Sequence, residues 1–350
     1  MNQLKGDQKL YYKMLHQKRE TELLLSALRV KLFSYLESWE TPNAVAAKSG
    51  LNERNLSFVL NALASIGLLE KRNETYRNTQ QSNDFLNPDS SVYLGESILF
   101  REKMMSLQNI EERLTNGPDE NVLHNNKGIE VYDFYEAARV SIPEMYTGRV
   151  QSLIQAVTSL YGNKTPKRIL DLGGGSGILA IELAITFPNC KSVVFEHPNV
   201  ARLPRELVSE RNLFEHVSVI EGDFNADDIG KEYDLIIASG VLDFAKDHLD
   251  SVMNKLYDAL TSNGYLYVVT HNVSEDYQNP PESILGWLSS HLDGLDVLLT
   301  KKDIENALTM HGFQHIHSDV DGGVFEGLQG EFYLKRTGGF QDGKVTKTCD

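Results

Sequence analysis

The stretch that decides the fold is ILDLGGGSGILAIELA, residues 169–184. A short apolar run leads into a group of glycines, and the glycines lead directly into an apolar helical segment. Glycine lets the backbone turn tightly and approach a ligand closely, and the first turn of the following helix offers free N–H groups. The pattern predicts a β-strand, a ligand-binding turn and a helix, although a tight strand–helix junction without any ligand would need the same glycines.

The same strand–helix pattern continues through the rest of the chain from about residue 165. Helical segments lie between most of the short, β-branched runs RILDL (168–172), SVVFE (192–196), VSVIEG (217–222), DLIIAS (234–239) and YLYVVTH (265–271). Such alternation is typical of a mostly parallel sheet with helices on both faces. The sequence therefore predicts an α/β, Rossmann-like domain over residues 165–336.

The N-terminal region has a different pattern. Residues 10–37 are apolar at helical spacing, and they precede predicted helices at 43–49 and 52–66 and short strands at 68–72 and 75–79. That order is typical of a winged helix-turn-helix. Its second helix carries Glu53 and only one arginine, Arg54, which argues against insertion into a DNA groove. We interpret this region as a mainly helical winged-helix packing module, whose long first helix packs against a second copy of the chain.

These patterns predict four segments along the chain. Residues 1–100 form the helical, winged-helix dimerisation domain, and 101–164 form a helical linker that contributes to the substrate pocket. Residues 165–336 form the ligand-binding α/β domain, and 337–350 form a disordered tail rich in glycine and polar residues.

Composition narrows the class of protein. The 350 residues are 41% apolar and carry a formal net charge of −15, which argues against a nucleic-acid partner. Cys190 and Cys349 are far apart and imply no disulfide framework, which suits a reducing cytoplasm. No segment resembles a signal peptide, and no run reaches the roughly 20 apolar residues of a membrane span. We expect a cytoplasmic protein with a small-molecule partner and no membrane partner.

Two further strand ends carry groups suited to a nucleotide. Glu196 ends the second predicted strand of the sheet, where an acid can accept both ribose hydroxyls. Asp223 and Phe224 follow the third strand, where a carboxylate can accept from an exocyclic amine and a ring can cover a base. The carboxyl ends of parallel strands meet at one edge of the sheet, so these groups predict one shared site.

The glycine spacing identifies the kind of nucleotide. A dinucleotide fold needs G-x-G-x-x-G, but the last position here is Ile178, and the glycines fall at Gly173, Gly175 and Gly177 after an early Asp171. This arrangement resembles the first motif of the class I S-adenosylmethionine-dependent methyltransferases. With the winged-helix region, LDLGGGSG, VVFEHP and EGDF, the chain resembles the plant-type and acetylserotonin-type small-molecule O-methyltransferases over residues 10–336.

The resemblance implies a homodimer through the N-terminal domain, a substrate pocket between the domains and S-adenosylmethionine as cofactor. It implies cofactor contacts from Asp171, Gly173, Gly175, Gly177, Glu196, Asp223 and Phe224, with Ser239 beside the methionine end. It also implies that Met145 and Tyr146 face the substrate. Trp287, in ESILGWLSSHL, is expected to form another wall of that pocket.

The segment after the fourth strand of the sheet departs from the family pattern. The family carries a Val-Leu-His-Asp-Trp type segment, whose histidine deprotonates the acceptor and is held by carboxylates, whereas this chain reads VLDF at 241–244. Where the family has its two glutamates, this chain has Thr270 and apolar residues within 296–303. In one interpretation the acceptor is a thiol, an amine or an acidic phenol, which needs no such base. In the other, the fold has a different function. That function is a hydroxylation- or decarboxylation-type reaction, or cofactor binding without catalysis.

Two residues are candidates for a replacement base. Asp243 stands at or beside the base position, where it acts either as a base or as the N-cap of a helix that starts near Lys246. His271 follows a buried strand at the ligand-binding edge, where it either lines the pocket or makes a structural hydrogen bond. His248 is interpreted as a surface residue. The cluster His311, His315 and His317 has no acidic partner nearby in sequence, so no metal site is predicted.

Overall fold

The structure is a computed structural model that describes residues 7–118, 120, 123, 132–321 and 328–336. The tail predicted at 337–350 lies outside these residues. The chain divides into two compact units, with the boundary between Lys103 and Met104. Among the helices described, none combines the length and the apolar character needed to cross a membrane.

The first unit contains helices followed by a small hairpin. Its elements are α1 (Lys9–Arg29), a 3-10 turn (Leu32–Tyr35), α2 (Pro42–Ser49), α3 (Glu53–Ser65), β1 (Leu69–Arg72), β2 (Thr75–Asn78), α4 (Gln80–Leu86) and α5 (Gly95–Met104). Thr41 caps α2 by accepting from the Ala44 N–H, and Asn52 caps α3 in the same way. The two helices and the antiparallel β1–β2 hairpin follow in the predicted order.

The first helix is shorter than the sequence predicted. It ends at Arg29 rather than continuing to residue 37, because Lys31 adopts a left-handed backbone conformation with φ 51°. The 3-10 turn that follows turns Leu32 and Phe33 into the core of this unit, where Leu60 and Leu63 of α3 are also fully buried.

The second unit contains the central sheet. Its strands are β3 (Arg168–Leu172), β4 (Lys191–Glu196), β5 (Val217–Glu221), β6 (Tyr233–Ser239), β7 (Leu260–Val269), β8 (Phe313–Asp321) and β9 (Gln329–Lys335). Its helices are α6 (Ile110–Asn116), α7 (Phe134–Val140), α8 (Ile142–Glu144), a π-helical turn (Met145–Arg149), α9 (Val150–Tyr161), α10 (Ile178–Thr186), α11 (Arg202–Glu210), a 3-10 helix (Leu242–His248), α12 (Leu249–Ala259), α13 (Pro281–Leu292) and α14 (Lys301–Met310).

The seven strands lie in the order β5-β4-β3-β6-β7-β9-β8. The five predicted strands, β3 to β7, pair in parallel, and β8 and β9 add an antiparallel edge. Large hydrophobic clusters cover both faces of the sheet, which confirms the predicted α/β architecture. The carboxyl ends of β3, β4, β6 and β7 therefore meet at one edge.

Candidate active site

The glycine turn after β3 is built for close approach. The φ angles are positive at Gly173, Gly175 and Gly177, with values of 59°, 57° and 71°. Residues with a side chain rarely adopt this left-handed backbone conformation, whereas glycine adopts it readily. A Cβ at Gly173 would collide with the Val241 side chain, so the segment after β6 packs directly onto this turn. A Cβ at Gly175 would meet only the Ala138 methyl group, at 3.5 Å. Gly177 then leads into α10.

Glu196 faces this turn from the end of β4. Its Oε2 accepts a hydrogen bond from the Gly175 N–H at 2.6 Å, and its Oε1 accepts from the His197 N–H at 2.7 Å. Burial raises the pKa of the Glu196 carboxyl, and these two hydrogen bonds oppose the shift. Each oxygen keeps further acceptor capacity, so the carboxylate can receive hydroxyl donors from a ligand.

Asp171 is buried beneath the turn. Burial raises the pKa of its carboxyl to about 7, while a hydrogen bond from the Ala180 backbone and the charge of Arg149 act in the opposite direction. Within the part of the chain that the structure describes, its Oδ2 meets no hydrogen-bond partner. An unmatched buried acceptor is costly, so this position suits a ligand that brings a hydrogen-bond donor to the turn.

The loop after β5 carries the third predicted group. The Asp223 side chain is exposed, and its Oδ1 accepts from the Asn225 N–H at 2.9 Å. Phe224 packs against the core of the sheet. The Lys255 ammonium donates to the carbonyls of Phe224 and Asn225, both at 3.0 Å, and of Asp227, at 2.9 Å. Lys255, which the sequence reading did not include, thus holds the loop in shape.

Arg149 is a further charged group that the sequence reading missed. Its Nη2 donates to the Ser239 hydroxyl at the end of β6, and its Nη1 contacts the Met145 sulfur at 3.4 Å. The π-helical turn that carries it contains Gly148 at φ 147°, so the chain bends here. An arginine in an aromatic segment was the available signal, but its distance from the sheet in sequence concealed the contact.

Tyr146 lies apart from the other predicted substrate residues. Its hydroxyl donates to Glu182 at 2.6 Å and accepts from Arg211 at 2.8 Å, and Arg211 also pairs with Glu182. Burial is the largest cause of the raised pKa of this phenol. The hydroxyl therefore faces α10 and the end of α11, whereas Met145 lies beside Arg149.

Asp243 and His271 are brought together by the sheet. His271 Nδ1 lies 2.9 Å from Asp243 Oδ2, and the other carboxylate oxygen accepts from the Leu299 N–H, also at 2.9 Å. The Asp243 side chain has no exposed surface, and that of His271 is 15% exposed. The N-cap interpretation of Asp243 is wrong, because Asp243 lies within the 3-10 helix, whose N-cap is Val241, and the N-cap of α12 is His248. Leu299 belongs to the 296–303 segment, which supplies a backbone donor.

Helix α13 covers the other side of the imidazole. The Trp287 indole N–H donates to His271 Nε2 at 3.0 Å, and the Ser283 hydroxyl donates to the His271 carbonyl at 3.1 Å. Because an indole nitrogen can only donate, Nε2 carries no proton and Nδ1 donates its proton to Asp243. These contacts select one neutral tautomer of His271.

Aromatic rings surround this pair of residues. Phe244 contacts Trp287 and Phe134 edge to face, with ring centroids 6.0 Å and 5.6 Å apart, and Trp287 contacts His271 in the same way at 5.6 Å. Phe244 also accepts from the Asn225 side-chain amide through its carbonyl. The aromatic cluster of Phe134, Phe244 and Trp287 therefore lies between the His271 imidazole and the loop after β5.

Three other histidines are exposed or make contacts of their own, away from Asp243 and Trp287. His248 is exposed, as predicted, and His197 Nδ1 accepts from the Asn199 N–H at 3.3 Å. His311 Nδ1 contacts the Ala307 carbonyl at 2.7 Å.

Comparison with known proteins identifies the class of enzyme to which the chain belongs. A family model described as an O-methyltransferase domain matches residues 141–314. The chain is a class I S-adenosylmethionine-dependent methyltransferase that resembles this O-methyltransferase family. Its relatives include 3-hydroxy-5-methyl-1-naphthoate 3-O-methyltransferase of Streptomyces sahachiroi, 25% identical over 76% of this chain and 78% of the relative. Acetylserotonin O-methyltransferase of Gallus gallus is 26% identical over 89% of this chain and 93% of its own length.

The fold agrees with that membership. Human N-acetylserotonin methyltransferase in complex with S-adenosylmethionine superposes with a TM-score of 0.73 at 22% identity, covering 96% of this chain and all of that one. This methyltransferase uses S-adenosylmethionine as its cofactor. The glycine turn with its positive φ angles, the free acceptor capacity of Glu196 and the unmatched Asp171 oxygen all fit that cofactor.

Proposed function

We propose that the protein methylates the hydroxyl group of a small aromatic molecule, with His271 as the general base. The observation that carries the proposal is the Asp243–His271–Trp287 arrangement, which leaves the lone pair of the imidazole on Nε2. S-adenosylmethionine supplies an electrophilic methyl group on a sulfonium, which leaves as a neutral thioether.

His271 takes the acceptor proton in this mechanism. Nε2 accepts the proton of the acceptor hydroxyl, and the imidazolium so formed is stabilised by the Asp243 carboxylate on Nδ1. The full burial of Asp243 strengthens this electrostatic effect, because little water screens the pair. Asp243 has both oxygens engaged, so we assign it a positioning role and His271 the catalytic one.

This assignment accounts for the departure from the family pattern. The resemblance implies a histidine within 241–244, and this chain has Asp243 there instead. The histidine stands two residues after the end of β7, the strand that pairs in parallel with β6, and Asp243 supplies the carboxylate. The site therefore keeps a histidine and a carboxylate, although they stand on different strands from those of the family pattern. A retained base favours an acceptor hydroxyl that must be deprotonated over an acceptor that needs no base.

An aromatic acceptor is favoured by the side chains around His271. The cluster of Phe134, Phe244 and Trp287 offers ring edges and faces against which a flat molecule packs. Two relatives are named for a naphthoate and for acetylserotonin, both of which are aromatic. We infer an acceptor of similar size with a hydroxyl on an aromatic ring.

The cofactor is assigned to the glycine turn and its neighbours. Glu196 would accept the ribose hydroxyls, and Asp223 and Phe224 would hold the base. Arg149, held by Ser239, supplies a cation suited to the carboxylate of the methionine end.

We also infer that the protein forms a homodimer through α1. Leu10, Tyr11, Met14 and Leu15 are each at least 50% exposed, and the pairs Leu10–Met14 and Tyr11–Leu15 are spaced to form one apolar face. A second copy of the same helix offers a matching surface. The double variant Tyr11→Glu/Leu15→Glu should yield a monomer in light scattering. A cytoplasmic location and the absence of nucleic-acid partners stay predictions.

The test combines binding with product formation. Calorimetry should show S-adenosylhomocysteine binding to wild type and to His271→Asn alike, because this substitution leaves the glycine turn intact. Labelled S-adenosylmethionine should methylate aromatic hydroxyls, with 1-naphthol and 2-naphthol as probes beside naphthalenethiol and naphthylamine, and His271→Asn should lose this activity. Wild-type rates in His271→Asn would exclude His271 as the base, and tight binding without product would favour a non-catalytic module.

A further inference from the structure

Helix α13 donates two hydrogen bonds to His271, and only one of them reaches the ring nitrogen that would accept a proton. Ser283 and Trp287 stand four positions apart on the same helix face, and both donate to His271. Ser283 bonds the backbone carbonyl, which takes no part in proton transfer. Trp287 bonds Nε2, the one ring nitrogen that carries a lone pair.

A single lone pair cannot serve two donors at full strength. While the indole N–H occupies Nε2, the hydroxyl of an acceptor has no site on the imidazole to which its proton can pass. The indole must therefore leave before the base can act. Because Trp287 is partly buried, its N–H needs another acceptor once it is displaced, since a donor left without a partner away from water is costly.

We propose that Trp287 is a gate on the base, and that it selects aromatic acceptors in which the reacting hydroxyl has an oxygen on the adjacent ring carbon. The proposal rests on the proposed role of His271. In the resting site the Trp287 N–H holds Nε2. In the loaded site the reacting hydroxyl takes its place on Nε2, and the displaced indole N–H donates to the neighbouring oxygen of the same molecule.

The proton balance of this exchange is simple. The O–H bond of the reacting hydroxyl breaks, an N–H bond forms on Nε2, and the positive charge of the imidazolium is offset by Asp243. The indole keeps its proton throughout and changes only its acceptor. Trp287 is thus a positioning residue, and a lone hydroxyl is a poor acceptor because it leaves the indole N–H unmatched.

A matched pair of probes tests the gate. For wild type, kcat/KM with 2,3-dihydroxynaphthalene should exceed kcat/KM with 2-naphthol by at least about tenfold, the range expected for an unmatched buried donor. In Trp287→Phe, which keeps an aromatic ring but lacks the N–H, the ratio should fall to about the twofold expected from the number of hydroxyls. Intrinsic differences in reactivity cancel, because the ratio is compared between enzymes.

The controls separate the gate from the base. The only other tryptophan, Trp39, lies in the first unit, so Trp39→Phe should keep the wild-type ratio. An unchanged ratio in Trp287→Phe overturns the gate while leaving His271 as the base. Wild-type rates in His271→Asn overturn the base itself.

A spectroscopic readout follows the same exchange directly. In ¹⁵N-labelled protein with S-adenosylhomocysteine, 2,3-dihydroxynaphthalene should move the Trp287 indole N–H resonance, which Trp287→Phe assigns, and leave that of Trp39 in place. A Trp287 resonance that stays in place while the diol is methylated in a His271-dependent reaction overturns the gate.

Discussion

The imidazole Nδ1 of His271 lies 2.9 Å from the fully buried Oδ2 of Asp243, although 28 positions separate the two residues in the chain. The contact follows from the register of β6 and β7, in which Ser239 pairs with Val269 and the Gly240 N–H donates to the Val269 carbonyl at 2.9 Å. Each residue leaves its strand at the same edge, and the two side chains meet above it.

Replacing Asp243 tests the orienting role of its carboxylate. Asp243→Asn should lower kcat for 1-naphthol by about 10²–10⁴-fold, because an amide stabilises the imidazolium poorly and can favour the wrong tautomer. Initial rates at saturating cofactor measure the effect. Affinity for S-adenosylhomocysteine serves as the control and should stay at the wild-type value; a kcat within about threefold of wild type would argue against the pair.

Glu196 provides a test of the cofactor site. Glu196→Gln should weaken S-adenosylhomocysteine binding by about 10- to 100-fold, since a charged acceptor of hydroxyl donors becomes a neutral one. Glu221 pairs with Glu196 in the neighbouring strand but is exposed, so Glu221→Gln is a matched control that should bind normally. Equal affinities of the two variants in calorimetry would remove Glu196 from the site.

Replacing Arg149 should weaken the binding of one ligand and not of another. Arg149→Met should weaken the binding of S-adenosylhomocysteine by at least about tenfold, because a charge-assisted hydrogen bond to the ligand carboxylate is lost. Binding of 5′-methylthioadenosine, which has no carboxylate, should change little. If both ligands lose affinity equally in calorimetry, Arg149 acts on the shape of the site and not on the carboxylate.

Asp171 gives stability a dependence on pH. Burial raises the pKa of its carboxyl from 3.8 to about 7, so the folded protein keeps a proton that the unfolded chain releases. This contribution to stability is complete below the unfolded pKa and is lost as pH rises through the folded one. Asp171→Asn has no such charge to bury. It should therefore gain stability over wild type by a few kcal/mol at about pH 8, with the gain shrinking toward about pH 5.

Denaturant unfolding at both pH values measures this gain. The exposed Asp89 supplies the control, because Asp89→Asn removes a carboxylate without changing the buried charge. A gain for Asp171→Asn that is the same at both pH values would show that the charge of Asp171 is not its source.

Local patterns explain how much of the fold was predictable. The strand Arg168–Leu172 was predicted residue for residue, because its apolar, β-branched run is buried and ends at glycines. The start of β7 was missed, since Leu260–Val269 includes the polar stretch Thr261-Ser262-Asn263. The antiparallel strands β8 and β9 carry no such uniform apolar run, and only pairing with each other and with β7 establishes them.

The sequence by itself determined the glycine turn, the parallel sheet and the acids at the ends of its strands, because each depends on residues close together in the chain. It also presented Asp243 and His271 as separate candidates with competing interpretations. Only the tertiary structure decided that they form one pair beneath Trp287 and that Arg149 reaches Ser239. Those contacts depend on the strand register and on how α13 and the turn before α9 pack against the sheet. No local pattern of side chains predicts the register or this packing.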